Sequence, residues 1–164
     1  LVIYLPKFSY IKYRINSFFD PTSKGNYQSQ KATDAIIDGG FFGKGIGEGT
    51  LNTRVPEAHT DYVISVISEE FGIFLILIIL FVFLILVFRT FKKISYEKKT
   101  SNKLILIGSS LLIVFQVLIH VGVNIKLLPT TGMTLPFLSY GGSSILSSSI
   151  LAGLILNFTK RRIY

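Results

Sequence analysis

From Phe71 to Phe88 the chain reads FGIFLILIILFVFLILVF, a run with no charge and no polar face. A helix on the surface of a water-soluble domain carries one apolar stripe, so a stretch that is apolar all round predicts a membrane-spanning helix over 71–88. Leu104 to Ile125 is a second uncharged stretch, and the span is expected over 104–126. It differs in carrying Ser109, Gln116, His120 and Asn124 at spacings of seven, four and four, which puts them on one helix stripe. Polar groups are costly in lipid, so that stripe must face other helices or a wet cavity. The segment LLPTTGMTLPFLSYGG then breaks helix at Pro129 and Pro136 and ends in Gly141-Gly142, which predicts an external loop over 127–142, re-entrant at its extreme. A third span follows over 143–159, with Ser143 or Ser144 as its cap. Ser144, Ser148 and Ala152 form one row of small residues on it, and Ser149 and Gly153 an adjacent one; such rows let helix backbones approach closely.

The first 70 residues have another character. Leu1 to Leu5 (1–5) read as the end of a truncated span, and 6–70 as an external loop with short helices. Phe8 to Phe19 mixes aromatics and Ile with Lys12 and Arg14, as an interfacial helix does, and Asp20-Pro21 ends it. Tyr27 to Ile37 suits a short helix. GGFFGKGIGEG, Gly39 to Gly49, must be an irregular loop. Thr60 or Asp61 is placed to cap the helix that leads into the first span.

Charge divides the chain in the same way. The net charge is +8, but residues 1–70 sum to −1 and residues 71–164 to +9. The excess therefore flanks the apolar runs, which excludes a nucleic-acid-binding surface and places the chain in the membrane class. Arg89, Lys92, Lys93, Lys98, Lys99 and Lys103 make 89–103 a short basic loop, and Lys160, Arg161 and Arg162 make 160–164 a basic tail. Basic flanks stay in the cytoplasm, so loop and C-terminus are expected there and the residues before Phe71 outside. There is no Cys, hence no disulfide framework and no thiolate chemistry. Residue 1 is Leu and no charged n-region with a cleavage site follows, so no signal peptide is expected, and the chain reads as the C-terminal portion of a longer protein.

The glycine cluster fails as a phosphate loop. A Walker loop needs four residues between its first Gly and Gly-Lys, then Ser or Thr, whereas Gly43-Lys44 is preceded by no glycine at that spacing and followed by Gly45. Gly43, Gly45, Gly47 and Gly49 merely alternate, with no βαβ pattern around them. Glu57, His59 and Asp61 put three ionisable groups within five residues ahead of a span. Two readings stay open there: a solvated helix start, or a surface carboxylate that acts as general base on a sugar hydroxyl or binds a divalent cation through oxygen. Zinc is disfavoured by the single neighbouring His and the absence of Cys. His120 fits best as a neutral ring in a hydrogen-bond network with Gln116 and Asn124. Lys126, at the outer end of its span, would either attract a phosphate or snorkel to the interface. The serines of the last span have no nearby base.

PEAHTDYVISVISEEFG (Pro56 to Gly72) and GVNIKLLPTTGMTLPFLSYGGSS (Gly122 to Ser144) resemble the shape, elongation, division and sporulation (SEDS) family of bacterial peptidoglycan polymerases. Tyr27, Gln28 and Gly39 to Gly49 are similar to that family's large external loop, and Thr134 and Ala58 look more like its division or sporulation members than its rod-elongation member. The resemblance implies an all-α integral membrane protein in which these three spans are the last of roughly ten helices. It implies polymerisation of lipid II in septal wall synthesis at the bacterial inner membrane, with Asp61 as the catalytic carboxylate, a divalent cation (Mg or Mn) at Asp61, and substrate contacts from Glu57, His59, Lys126, Thr131, Ser139, Arg54 and Lys44. Implied partners are lipid II, the bilayer, a class B penicillin-binding transpeptidase and other divisome membrane proteins, and no nucleic acid. Many division members have Lys where Thr131 stands, relatives commonly have Gly at Lys126, and His120 replaces a frequent Asn. Seven basic residues precede Asp61 on the expected outer side, which suggests Arg54, Lys44 and Arg14 as neighbours of lipid diphosphates. Two rival readings remain: a lipid II flippase or other transporter, for which only His120 supplies an ionisable group within a span, and an inactive membrane fragment of a split gene.

Overall fold

The structure, a computed structural model, describes residues 9–20, 22–55 and 58–160. Among them it is all-helical: α1 (Ser9–Phe19), α2 (Lys24–Gly39), α3 (Leu51–Arg54), α4 (Val63–Tyr96), α5 (Thr100–Asn124) and α6 (Gly142–Thr159). Three of these, α4, α5 and α6, are long and apolar enough to cross a membrane. The expected end of a span at Leu1–Leu5 lies outside the described residues.

Short connections make α4 and α5 antiparallel neighbours, and α6 packs on α5 and more lightly on α4. The turn between α4 and α5 and the end of α6 share one end of the bundle, where Lys93, Glu97, Lys99, Asn102 and Lys160 line a common crevice. This is the basic end; the opposite one is the Asp61 end. Through the membrane run packing is sparse, with only Gly72 and Ile76 buried between Phe71 and Phe88. The small row behaves as its spacing predicts on one side: Ser148 is buried and Ser144 and Ala152 half-buried, whereas Ser149 and Gly153 are exposed.

At the Asp61 end α2 lies across the start of α4, with α1 against α2 and α3 against α4. Ser23 caps α2 by accepting from the Asn26 N–H at 3.2 Å, two residues after the predicted Pro21 break. The small side chains Ala32 and Ala35 let α2 close on Tyr62 and Val66 of α4, and Leu51, Val55, Ala58 and Val123 complete that buried cluster. Tyr62 is wholly buried, its hydroxyl 3.2 Å from Ser29 Oγ. A second cluster, Val63, Ile64, Ile76, Ile113, Val117, Leu135 and Ile155, joins α4, α5, α6 and the 125–141 connection.

Helix α4 begins eight residues earlier than the expected span, and it is interrupted at Gly72, where φ is 81° and ψ is 172°. The interruption is filled by the glycine loop. Ile73 N–H donates to Gly40 O (3.0 Å) and Phe74 N–H to Phe41 O (3.5 Å), while Glu69 O accepts from Lys44 N–H (2.8 Å) and Glu70 O from Gly45 N–H (3.0 Å). These are the groups that an unbroken helix would pair with each other. Only glycine permits the approach: a Cβ on Gly72 would sit 2.2 Å from Phe41 O, and one on Gly43 2.2 Å from Glu70 O. The alternating glycines thus serve backbone contact with a helix rather than a phosphate.

Helix ends correct two sequence expectations. Neither Thr60 nor Asp61 caps α4; its N-cap is Tyr62, with no side-chain cap bond. Neither Ser143 nor Ser144 caps α6, which starts after Gly141, and Ser144 Oγ instead lies 2.5 Å from Thr134 Oγ1.

Candidate functional site around Asp61

The turn Ala58–Asp61 enters α4 directly, and three successive carbonyls of it are held by elements distant in sequence. His59 O accepts from Tyr140 N–H at 3.1 Å. Thr60 O accepts from Ser139 Oγ at 2.9 Å and lies 3.3 Å from His120 Nε2. Asp61 O accepts from Asn124 Nδ2 at 3.0 Å. Asp61 itself is buried, with 7% of the residue exposed.

Asn124 is the centre of this arrangement. Its Oδ1 accepts from Ser65 N–H (3.0 Å) and Ser65 Oγ (2.7 Å), so it caps the first turn of α4 from a different helix. Helix N-termini leave N–H groups without intrahelical partners, and here the acceptor comes from α5 in place of the local Thr60 or Asp61. Its Nδ2 donates to Asp61 O and to His120 O (2.8 Å), and lies 3.2 Å from His120 Nδ1. The Thr60 carbonyl can only accept, so His120 Nε2 donates there, while the two Asn124 amide hydrogens go to Asp61 O and His120 O and Nδ1 stands beside that amide. The ring thus sits in a buried hydrogen-bond network with Asn124, as the polar stripe on α5 predicts. Gln116, the other expected partner, lies one turn further along, and its Oε1 is buried without a hydrogen-bond partner among the described residues instead of joining the His120 network.

Beside the turn is a groove of about 560 Å³ lined by His59, Val63, Phe137, Leu138, Ser139, Tyr140 and Ile145. His59 and Val63 flank Asp61 by two residues on either side. Phe137 holds φ at +65°, a conformation that costs a residue with a side chain about 1 kcal/mol or more. Ser139 folds the loop around it, accepting from Leu135 N–H at 2.9 Å while donating to Thr60 O.

Of the residues expected at the site, the structure brings Asp61, His59 and Ser139 together. Glu57 lies outside the described residues. Thr131 is exposed on the 125–141 connection. Lys126 closes the end of α5 with φ +58° and donates from Nζ to Gln30 Oε1 at 2.8 Å. Arg14 reaches the same connection and donates to Thr130 O. Lys44 and Arg54 stand elsewhere, roughly two turns along α4 beside Glu69. Lys44 Nζ donates to Asp38 Oδ2 (3.1 Å) and Glu69 Oε1 (3.0 Å), and these bonds hold its ammonium above the usual lysine range. Arg54 lines a crevice with Lys31, Asp34, Asp38 and Glu69.

Two participants escaped the sequence reading. Ser65 looks like an ordinary small helix residue; its spacing of four from Asp61 is the one available signal. Glu69 reads as part of an acidic helix start, yet it is 2% exposed and accepts from Thr50 N–H, Thr50 Oγ1, Leu51 N–H and Lys44 Nζ.

Among the described residues no three His, Asp or Glu side chains converge as a metal centre. The Asp61 carboxylate supplies oxygen of the kind Mg or Mn takes, but the carbonyls of its own turn already accept bonds, so a cation there would need substrate oxygens to complete its shell.

The family model described as "Cell cycle protein" (FTSW_RODA_SPOVE) matches residues 1–163. The chain belongs to this family. It is 36% identical over 155 residues to a protein of Caulobacter vibrioides named "Probable peptidoglycan glycosyltransferase FtsW", covering 94% of this chain and 40% of that one. Proteins of the same name from Enterococcus hirae and Francisella salina are each 41% identical, over 149 and 163 residues. The chain spans about two fifths of the length of these relatives, 37% and 40% respectively. Family membership and three spanning helices together make this a multi-pass membrane protein.

Proposed function

We propose that this chain carries the catalytic turn of a peptidoglycan glycosyltransferase that polymerises lipid II in septal wall synthesis, acting with the remaining part of a protein of the relatives' length. The observation that supports it most is the fixing of the Asp61 turn. Three consecutive main-chain carbonyls are anchored by α5 and the 125–141 connection, which fixes the position of a carboxylate at the end of a spanning helix.

In the proposed reaction Asp61 accepts the proton from the 4-hydroxyl of the acceptor's GlcNAc. That oxygen forms a bond to C1 of the donor's MurNAc, the bond from C1 to the diphosphate oxygen breaks, and undecaprenyl diphosphate leaves with the electron pair. A divalent cation, when bound beside Asp61, neutralises the departing charge. His59 and Ser139 line the groove where a sugar or diphosphate is positioned, Thr131 and Lys126 are assigned as further contacts from the same end, and Glu57 is assigned as another by its place in the sequence two residues before His59. Lys44 and Arg54 serve the reading less directly, since Lys44 is bound to Asp38 and Glu69. The basic end is assigned to the cytoplasm of a bacterial inner membrane on the strength of Arg89, Lys92, Lys93, Lys98, Lys99 and Lys103, and the Asp61 end to the outer face. A class B penicillin-binding transpeptidase is the expected partner, since a polymerised strand requires cross-linking.

The test is Asp61→Asn in the full-length protein. Asn keeps the volume and the Asn124-bound carbonyl but cannot take a proton at neutral pH. Glycan polymer from lipid II should disappear while the protein purifies and melts as before. Undiminished polymer would sink the assignment.

A further inference from the structure

The segment Ile37–Ile46 exposes more apolar surface than a water-facing loop tolerates. Phe41 is 65% exposed, Phe42 85% and Ile46 80%, and Ile37 at the end of α2 is 71% exposed. Isolated exposed apolar residues are ordinary, but four within ten residues, with the two phenyl rings 6.0 Å apart, form a patch. The nearest positive charge does not dilute it, because Lys44 Nζ is drawn to Asp38 and Glu69.

The height of this patch is set by backbone bonds. The uncharged run of α4 is bounded by Glu70 and Arg89, and at 1.5 Å per residue it measures about 27 Å, close to the thickness of a bilayer's hydrocarbon core. Its register against the membrane is therefore fixed at both ends. Gly40 O and Phe41 O bond to the N–H groups of Ile73 and Phe74, the third and fourth residues of that run. The loop backbone thus lies beside the first turn inside the apolar zone. It is also braced: Lys44 and Gly45 bond to the Glu69 and Glu70 carbonyls on the other side of the break.

We propose that the Phe41-Phe42 tip, with Ile46 and Ile37, is a membrane-dipping element that seats in the acyl boundary of the leaflet at the Asp61 end. The occupant of the patch is lipid. Its exposed side chains continue the lipid-suited surface of Phe71, Ile73 and Phe74 on the adjoining helix, and the charged, exposed Glu48 is the residue of the loop assigned to water. Splicing the tip into α4 at Gly72 makes the loop a rigid outrigger, which fixes the depth of the segment leading to α3 and to the Asp61 turn.

The proposal is tested by nitroxide depth measurement on the full-length protein in nanodiscs of phosphatidylethanolamine and phosphatidylglycerol. Spin labels are placed singly by Phe42→Cys and Ile46→Cys, with any other cysteine changed to Ser. Phe81→Cys serves as the mid-span reference and Glu48→Cys as the aqueous one. All four side chains are exposed, so labelling leaves packing intact. Labels at 42 and 46 should be relaxed by oxygen more than by a water-soluble nickel chelate, ranking with Phe81. Nickel access equal to that at Glu48 would overturn the proposal by placing the tip in water. Shielding from both reagents would also overturn it, by showing that another part of the protein covers the patch.

Discussion

Asp61 and Glu69 are two buried carboxylates eight residues apart on the same approach and helix, and Asp61 carries a main-chain clamp where Glu69 carries a cluster of donors on its carboxylate. Glu69 is held by its oxygens: two backbone N–H groups, a hydroxyl and an ammonium converge on its carboxylate and tie the glycine loop and α3 to α4. The main chain of Asp61 is clamped by Asn124, with His120, Ser139 and Tyr140 on the neighbouring carbonyls. A carboxylate saturated with donors is an anchor. One whose turn is clamped at three successive carbonyls has its position defined through the backbone, which is what a proton acceptor needs.

The comparison is broken most sharply by paired substitutions in the full-length protein. Asp61→Asn should lower polymerisation by a factor of roughly 10² or more, the usual range for a lost general base, with no change in thermal melting. Glu69→Ala should do the reverse to stability. It leaves the Thr50 and Leu51 N–H groups buried without their acceptor, and a loss of about 2–4 kcal/mol in detergent melting is expected, with activity falling only as far as the fold does. If both variants lose activity at unchanged stability, the distinction between anchor and acceptor fails.

Gly72→Ala attacks the splice that Glu69 supports. The added Cβ would meet Phe41 O at 2.2 Å and the residue holds φ at 81°, so destabilisation of about 3 kcal/mol or more is expected, with protease sensitivity appearing first in residues 40–50. Asn124→Ala removes both the cap on Ser65 and the Asp61 clamp. About 2 kcal/mol of stability should go, together with a fall in kcat larger than the change in KM, because a displaced Asp61 binds substrate but transfers the proton poorly. The smallest effect has the opposite sign. Lys126→Gly relieves a left-handed backbone at φ +58°, so about 1 kcal/mol of stability should be gained less what the Gln30 bond contributes, visible as a raised melting temperature.

The positive φ at Lys126 also gives a physical reason why glycine suits that position. A side chain there is tolerated through its bond to Gln30 of α2, a residue 96 positions away. The resemblance could mark the departure but not the compensation.

How far the site was legible varies residue by residue. The Glu57–His59–Asp61 constellation and the α5 stripe stood out because ionisable and polar groups beside lipid are rare enough to signal themselves. The joining of the two did not, since nothing local says that Asn124 reaches Asp61 and Ser65. The surroundings of Lys44 were hidden for a related reason. As a cation in an external loop it invites a phosphate, and only the folded loop shows Asp38 and Glu69 already on it.

What the sequence alone determined were the elements whose environment is a bulk solvent. The spans at α4, α5 and α6, the basic flanks and the break at Pro21 follow from how each short stretch partitions between lipid and water, which needs no partner. What only the tertiary structure decided were the caps and the break in α4. The first turn of α4 is capped from α5, α3 is capped by Glu69, and the interrupted pairs around Gly72 are completed by a loop some thirty residues earlier. Hydrogen bonds are short and directional, so their partners are chosen by where the chain passes in space, and a pattern of residue types along one segment does not contain that information.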